Sequence, residues 1–319
     1  MILGIDLGSN TLRAVLMDEN LTVIKEAEFI VAAAKNLSQN NLISNEAIAR
    51  LKNALRNLKE QNFDLTKARA VATAAFRKAK NTELIFKEIK DEFNIEFKLI
   101  DAKEEARLSV LGMQNALNKL GIKDKKLLFC DLGGASCELS FANTTKSFDF
   151  GIISFYEKAM KAENLGKNYK ISSLKTRDKI LKFHFLLKDR KLKNIAILAF
   201  KEVFLAKSFL RKSKAKKIVL NSGVPTALVA LKQGLLYEEY NASLINGKKL
   251  YRGDFLYYGL KLWYMSEEKA CLLVGKNRKN YLVAGCFLLY ALFEKEELIV
   301  VDEGIREGIC IDFMKEFRC

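Results

Sequence analysis

The chain has 319 residues, half of them apolar, which is enough for two domains with cores of their own. Its net charge is +16, and residues 151–217 alone carry 19 Lys and Arg against 5 Asp and Glu, a net of +14. A single zinc-type histidine, His184, and six cysteines without a Cys-x-x-Cys pair argue against a zinc site and fit reduced thiols in a cytoplasmic protein. No basic leader precedes the first strand pattern, so no signal peptide is expected. The longest apolar run, Leu282 to Phe293, is too short to span a bilayer and reads as a buried helix. The concentrated positive field suits a polyanion. Lysines outnumber arginines 41 to 13, so a lysine-rich bias on solvated helix faces is the competing explanation.

In chain order, residues 2–30 read as three strands. Residues 44–60 carry Ile48, Leu51, Leu55 and Leu58 at helical spacing, with Ser44 as N-cap. Lys67 to Thr73 is a strand, Thr82 to Asp91 a helix capped by Asn81 or Thr82, and Glu96 to Ile100 a strand. Asp101 to Arg107 opens a helix that runs to about Leu120. Acidic residues in a first turn are ordinary dipole and capping chemistry, and on spacing alone Glu104 and Glu105 are read that way. Gly121 to Asp124 is a polar joint, which places a domain boundary near 118. After the strand-turn-strand of residues 127–141, Lys146 to Ile153 reads as a further strand. Residues 154–192 read as two basic helices joined near Lys167 and Asn168, with His184 packed among Phe183, Phe185 and Leu186. Ile195 to Phe200 reads as a buried strand and 201–212 as a helix. Ile218 to Leu220 reads as a strand before an apolar helix. Residues 254–264, 266–274 and 280–293 read as helices, Leu298 to Asp302 as a strand, and a closing helix follows Gly304. Strands alternating with helices indicate an α/β fold.

One pattern occurs twice. Ile2 to Leu16 and Leu127 to Phe141 are each an apolar run, then Asp-Leu-Gly with small residues (Asp6-Leu7-Gly8-Ser9-Asn10; Asp131-Leu132-Gly133-Gly134-Ala135-Ser136), then an alternating run. Each predicts a strand, a tight turn and a second strand. Glycine lets backbone amides approach an anion without a side chain in the way. The Asp sits where strand meets turn, positioned to hold a cation or an ordered water. Two such hairpins face to face would grip a phosphate chain. Ordinary hairpins with Asp as turn caps are the plain alternative.

Paired hairpins of this kind resemble the phosphate loops of the actin-like ATPase superfamily. The set Asp6 to Asn10, Thr73 to Arg77 with Asn81, Glu104 to Arg107, Asp131 to Glu138 and Asp302 to Gly308 resembles the exopolyphosphatase/guanosine pentaphosphate phosphohydrolase family, in that family's order and over nearly the whole chain. The resemblance implies two α/β, actin-like (ribonuclease H-like) domains, 1–117 with the closing segment 304–319 and 118–303, with the active site in the cleft between them. It implies a phosphoanhydride hydrolase acting on polyphosphate or on the 5′-triphosphate of guanosine pentaphosphate with Mg²⁺ or Mn²⁺. It puts the water-activating base on Glu105, with Glu104 as the alternative, and the metal on Asp131, Asp6 and Glu138. It puts phosphate contacts on Gly8, Ser9, Asn10, Arg77, Gly133, Gly134, Ala135, Ser136, Gly151, Ser222, Gly223 and Thr226. Two departures stand out. Ala135 replaces a third glycine, and Val224-Pro225 replaces a small pair and removes one amide donor. The expected partner is a polyanionic phosphate substrate; neither membrane nor nucleic acid is expected, and a homodimer is left open. A kinase of the same superfamily and a non-catalytic sensor of polyphosphate or guanosine pentaphosphate are the rival functions. Long members of the family continue into a histidine/aspartate metal domain, for which this chain lacks the histidines.

Overall fold

Strands form where apolar runs are bounded by turn residues: β1 (Ile2–Leu7), β2 (Thr11–Met17), β3 (Val23–Ile30), β4 (Ala68–Ala72), β5 (Phe97–Leu99), β6 (Leu127–Leu132), β7 (Cys137–Phe141), β8 (Thr144–Phe148), β9 (Lys217–Asn221), β10 (Lys248–Leu250) and β11 (Glu297–Val300). The computed structural model describes residues 1–124, 126–164 and 189–316. His184, the Lys167–Asn168 junction and lysines 170, 175 and 182 of the basic segment lie outside the described residues.

Among the described residues the strands make two sheets, ordered β3-β2-β1-β4-β5 and β10-β11-β9-β6-β7-β8. The second contains the first. In each, a meander of three antiparallel strands begins at the central strand, and two further strands run parallel to it: β1 with β4, β4 with β5; β6 with β9, β9 with β11. Parallel neighbours require helical crossovers, and the alternating strands and helices supply them. This duplicated order is the two-fold α/β, actin-like architecture that the paired Asp-Leu-Gly hairpins implied. The central strands are buried on one face through Leu3, Ile5 and Leu7 and through Leu128, Cys130 and Leu132, and on the other at Gly4 and through Leu127 and Phe129, so both hairpin turns grow from rigid stems.

The longer helices are α1 (Asn45–Glu60), α2 (Ala74–Lys78), α3 (Thr82–Phe93), α4 (Ala102–Lys119), α5 (Ile152–Asn164), α6 (Arg190–Glu202), α7 (Phe204–Ser213), α8 (Gly223–Gln233), α9 (Arg252–Trp263), α10 (Glu267–Val274), α11 (Lys279–Leu292) and α12 (Ile305–Glu316). Caps mark their starts: Ser44 Oγ accepts from the Ala47 amide (3.3 Å) and Asp101 Oδ1 from the Glu104 amide (2.8 Å). The last helix, α12, returns to the first half and packs on α4, β1 and β2. The α4–α12 crossing is close enough to require glycine. A methyl group at Gly112 would lie 2.0 Å from the Gly304 carbonyl oxygen, and one at Gly308 would lie 2.0 Å from that of Leu108. No helix among the described residues is long and apolar enough to cross a membrane.

One expected strand is a helix, and another ends early. Residues 195–200 lie inside α6, which starts at Asp189, whose carboxylate accepts from the Leu192 amide at 3.0 Å. With Leu192 and residues 194–199 all buried, the helix has almost no polar face there, and a short apolar run carries no period to separate it from a buried strand. The strand expected over 146–153 stops at Phe148, and Ile152 and Ile153 open α5 instead. Their amides are taken by the carbonyls of Gly133 and Gly134, a tertiary contact that no local pattern encodes.

Candidate active site

Both Asp-Leu-Gly turns close with the same bond: the Gly8 amide donates to the Thr11 carbonyl and the Gly133 amide to that of Ser136, each at 2.9 Å. Both are also braced from behind in the same way. Ala34 donates its amide to Ser9 O, and Ile153 to Gly134 O, at 2.8 and 2.9 Å. A trans peptide points its N–H opposite its C=O. Pinning the carbonyls of Ser9 and Gly134 therefore turns the amides of Asn10 and Ala135 to the other side, away from the bracing segment. The turns meet: a methyl group at Gly134 would lie 2.8 Å from Ser9 Cβ and 3.5 Å from the Asn10 amide nitrogen. Gly151 stands behind the second turn, where a methyl group would come within 2.3 Å of the Ala135 nitrogen. Ala135 keeps a negative φ, so the missing third glycine introduces no strain in the turn.

The turns open into a pocket of about 350 Å³. Four carboxylates line its inner end: Asp6, Glu105, Asp131 and Glu138. In register, Asp6 faces Arg13 and Asp131 faces Glu138 across their hairpins. Ser109, one turn beyond Glu105 on α4, donates its hydroxyl to Asp131 Oδ2 at 2.6 Å, and Ser147 donates to Glu138 Oε1 at 2.7 Å. Arg77 donates to Glu105 Oε2 at 2.6 Å. Burial pushes all four acids above the ordinary carboxylate range. Asp6 is pushed up to about 8, with Glu105 the next cause after burial. Glu138 rises well above its ordinary value through burial, Glu105 and Asp131. Asp131 rises through burial against the Ser109 bond, and Glu105 through burial against Arg77. Acids gathered this way favour the arrival of a cation. Asp6 Oδ1 is buried with no hydrogen-bond partner, as an oxygen awaiting a cation or its water would be. Among the described residues no three His, Cys, Asp or Glu side chains form a ready-made metal cage.

A model of the Ppx/GppA phosphatase family matches residues 14–317. The chain belongs to this family. It is 29% identical to the guanosine-5'-triphosphate,3'-diphosphate pyrophosphatase of Photobacterium profundum over 168 residues, 50% of this chain and 33% of that protein. The enzyme of the same name from Pseudoalteromonas atlantica is 27% identical over 174 residues, 51% of this chain and 34% of that protein. The matches thus span about a third of each of these relatives. Among solved structures, an exopolyphosphatase from Cytophaga hutchinsonii superposes with a TM-score of 0.75 at 19% identity, covering 99% of this chain and 98% of that one. The Ppx/GppA family member of Aquifex aeolicus gives 0.70 at 21%, covering 100% and 98%. At these identities they speak for the fold.

The Ppx/GppA pocket gathers most of the residues singled out in the sequence. Gly8, Ser9, Asn10, Gly133, Gly134, Ser136, Ser222, Gly223 and Thr226 line it with the four acids. Ser222, held at φ 106° before α8, has a buried hydroxyl without a hydrogen-bond partner. Pro225 falls in the first turn of α8, where its missing N–H breaks no helical bond, though one donor is lost. Four expected residues do not line the pocket. Ala135 is buried, Gly151 stands behind the turn, and Arg77 lies behind Glu105. Glu104 turns away to Arg107 (2.7 Å), which also holds Asp312 of α12; α4 turns by about 100° per residue, so neighbouring carboxylates cannot share one face.

Other lining residues carried no local signal. Arg13 reaches Asp302 at 3.0 Å and Glu28 at 3.2 Å, and Arg306 reaches Asp302 at 2.9 Å and Glu26 at 2.7 Å. Burial pushes Asp302 up, but Arg13 and Arg306 outweigh it and hold the carboxyl below its usual range. The Asp302 to Gly308 motif therefore ties the start of α12 to β2 and β3, and its arginine is structural. Tyr237, Tyr281, Leu273, Val274, Leu282 and Arg278 form an outer, aromatic arm of the pocket. Leu273, Val274, Arg278, Tyr281 and Leu282 come from the end of α10 and the start of α11, and Tyr237 joins them from earlier in the chain.

Proposed function

We propose that this protein is a phosphoanhydride hydrolase that releases the terminal phosphate of guanosine pentaphosphate or of inorganic polyphosphate. The observation that carries this reading is the meeting of two Asp-Leu-Gly turns in one pocket with the carboxylate of Glu105. The amides and hydroxyls of Ser9, Asn10, Gly134 and Ser136 orient the phosphates. Glu105 takes the proton from water as its oxygen attacks the terminal phosphorus and the bridging oxygen leaves. Ser109 keeps Asp131 aimed at the pocket. Asp131 would be the first partner of Mg²⁺, directly or through a water, with Asp6 and Glu138 in support, and the ion would neutralise charge on the phosphate oxygens. With EDTA, phosphate release should therefore stop, and Mg²⁺ or Mn²⁺ should restore it; full activity in EDTA would remove the metal from the reading. The division into 1–117 with 304–319 and 118–303 belongs to the same proposal, supported by the two sheets.

The two guanosine-5'-triphosphate,3'-diphosphate pyrophosphatase relatives support the nucleotide substrate. The aromatic arm favours the nucleotide. Six carboxylates line the pocket (Asp6, Glu28, Glu105, Asp131, Glu138 and Asp302), and Arg13 is already paired with two of them. Arg278, whose guanidinium sits 5.4 Å from the Tyr237 ring centre, has no carboxylate partner among the described residues. Such a lining suits a few phosphates attached to a ring better than a long bare polyanion. Phosphate release from guanosine pentaphosphate, tripolyphosphate, long polyphosphate, and ATP with and without sugars tests the reading. Higher kcat/KM with guanosine pentaphosphate is the expected result. Tight binding of these compounds with no turnover would establish a sensor instead, and phosphate transfer to a sugar would establish a kinase.

A further inference from the structure

Arg77 stands one residue back from the pocket and touches the chemistry only through Glu105. It rides on α2, whose first turn follows β4 directly, and one guanidinium nitrogen makes two bonds. It donates to Glu105 Oε2 at 2.6 Å and to the carbonyl of Ile100 at 2.9 Å. Ile100 immediately precedes Asp101, the N-cap of α4, and Glu105 closes the first turn of the same helix. Arg77 thus clasps the start of α4 at two points and fixes the rotamer of the carboxylate that faces the pocket. Asp6 on β1, Asp131 on β6 and Glu138 on β7 also face Glu105, while Arg13 in the same pocket is paired with Asp302 and Glu28. Thr73, at the head of α2, supplies a further side-chain hydrogen bond. Without Arg77 the carboxylate would lose its cationic partner and be held only by Thr73, beside three crowded acids.

We propose that Arg77 is a positioning residue for Glu105 and does not bind the substrate's phosphates. The proposal rests on the reading of Glu105 as the water-activating base. An outer partner that orients a working side chain is worth about 10–100-fold in activity, and its loss shows in kcat, because the substrate never touched it.

The test is a mutant cycle on the full chain, with kcat and KM measured separately for the best substrate found above. Arg77→Met should lower kcat by about 10–100-fold and leave KM within about threefold. Arg77→Lys, which keeps the charge but not the two-point clasp, should recover part of kcat. Groups acting through one another are not additive, so Arg77→Met should cost almost nothing further once Glu105→Gln is present. A raised KM with kcat intact, or a full multiplicative loss in the Glu105→Gln background, would make Arg77 a phosphate ligand and overturn the proposal while leaving the base intact. Wild-type turnover by Glu105→Gln alone would instead remove the base reading, and this proposal with it. If Arg77→Met does not fold, Arg77→Lys in the same cycle decides: a KM effect overturns the proposal and a kcat effect sustains it.

Discussion

Asp131→Asn is expected to leave a folded protein that turns over at least about a hundredfold more slowly, since metal-assisted charge stabilisation is worth several kcal/mol. Asparagine keeps the shape of the side chain and can still accept the Ser109 hydroxyl, which now lies 2.6 Å from Asp131 Oδ2. What it loses is the negative charge beside Asp6, Glu105 and Glu138. That loss has opposite consequences for stability and function. The four acids are crowded and desolvated, and burial alone already pushes Asp131 upward. Removing one charge relieves repulsion and desolvation in the free protein, so Tm should hold or rise as turnover falls. The same crowding makes the free site attractive to a cation. Near-normal turnover at saturating Mg²⁺ would leave Asp131 as a turn residue and transfer the metal to Asp6 and Glu138.

How much of this could be read in the sequence divides along a physical line. The hairpins were legible because strand, glycine turn and strand are local, and because the pattern repeats with the same Asp-Leu-Gly core. The cap Ser44 and the apolar α11 were legible for the same reason, whereas the cap of α4 is Asp101, a role that the sequence reading gave to Glu104 and Glu105. Local patterns failed where burial was complete: α6 was read as a strand because burial of residues 194–199 left it no polar stripe. They failed again at 150–153, where the carbonyls of Gly133 and Gly134, 19 residues earlier, capture the amides of Ile152 and Ile153 at the start of α5. At the site, the turn residues could be named one by one, but direction could not. Glu104 and Glu105 are adjacent and chemically alike, and only the rotation of α4 sends one to the pocket and the other to Arg107. Arg77 looked like a phosphate ligand because arginine near a phosphate site usually is one; its distance from Glu105 and its absence from the lining say otherwise about the free protein. Tyr237, Tyr281 and Arg278 had no neighbouring motif; Arg278 and Tyr281 share the start of α11, and packing brings Tyr237 to them.

Glu105→Gln should produce a fall in turnover of roughly 10²–10⁴, the usual contribution of general-base catalysis. Glutamine has nearly the same volume, and α4 keeps its start, because the cap belongs to Asp101. Arg77 can still donate to the amide oxygen, so the side chain should stay in place. It cannot accept a proton from water. Affinity for substrate should therefore change by only a few-fold, and the loss should fall on kcat. The pH profile adds a second sign. Burial raises Glu105, with Arg77 acting against it. The base form is then scarce at low pH, and activity should climb as pH rises through a limb lying above the ordinary glutamate value. In Glu105→Gln that limb should vanish and leave a low, flat rate. Glu104→Gln should be mild. It loses a half-exposed pair with Arg107, worth at most about 1 kcal/mol of stability at the surface, and no pocket group. If Glu104→Gln were the inactive variant and Glu105→Gln retained its rate, the face that α4 turns to the cleft would be the wrong one. Wild-type rates in both would return these carboxylates to the capping role that position in a first turn ordinarily gives them.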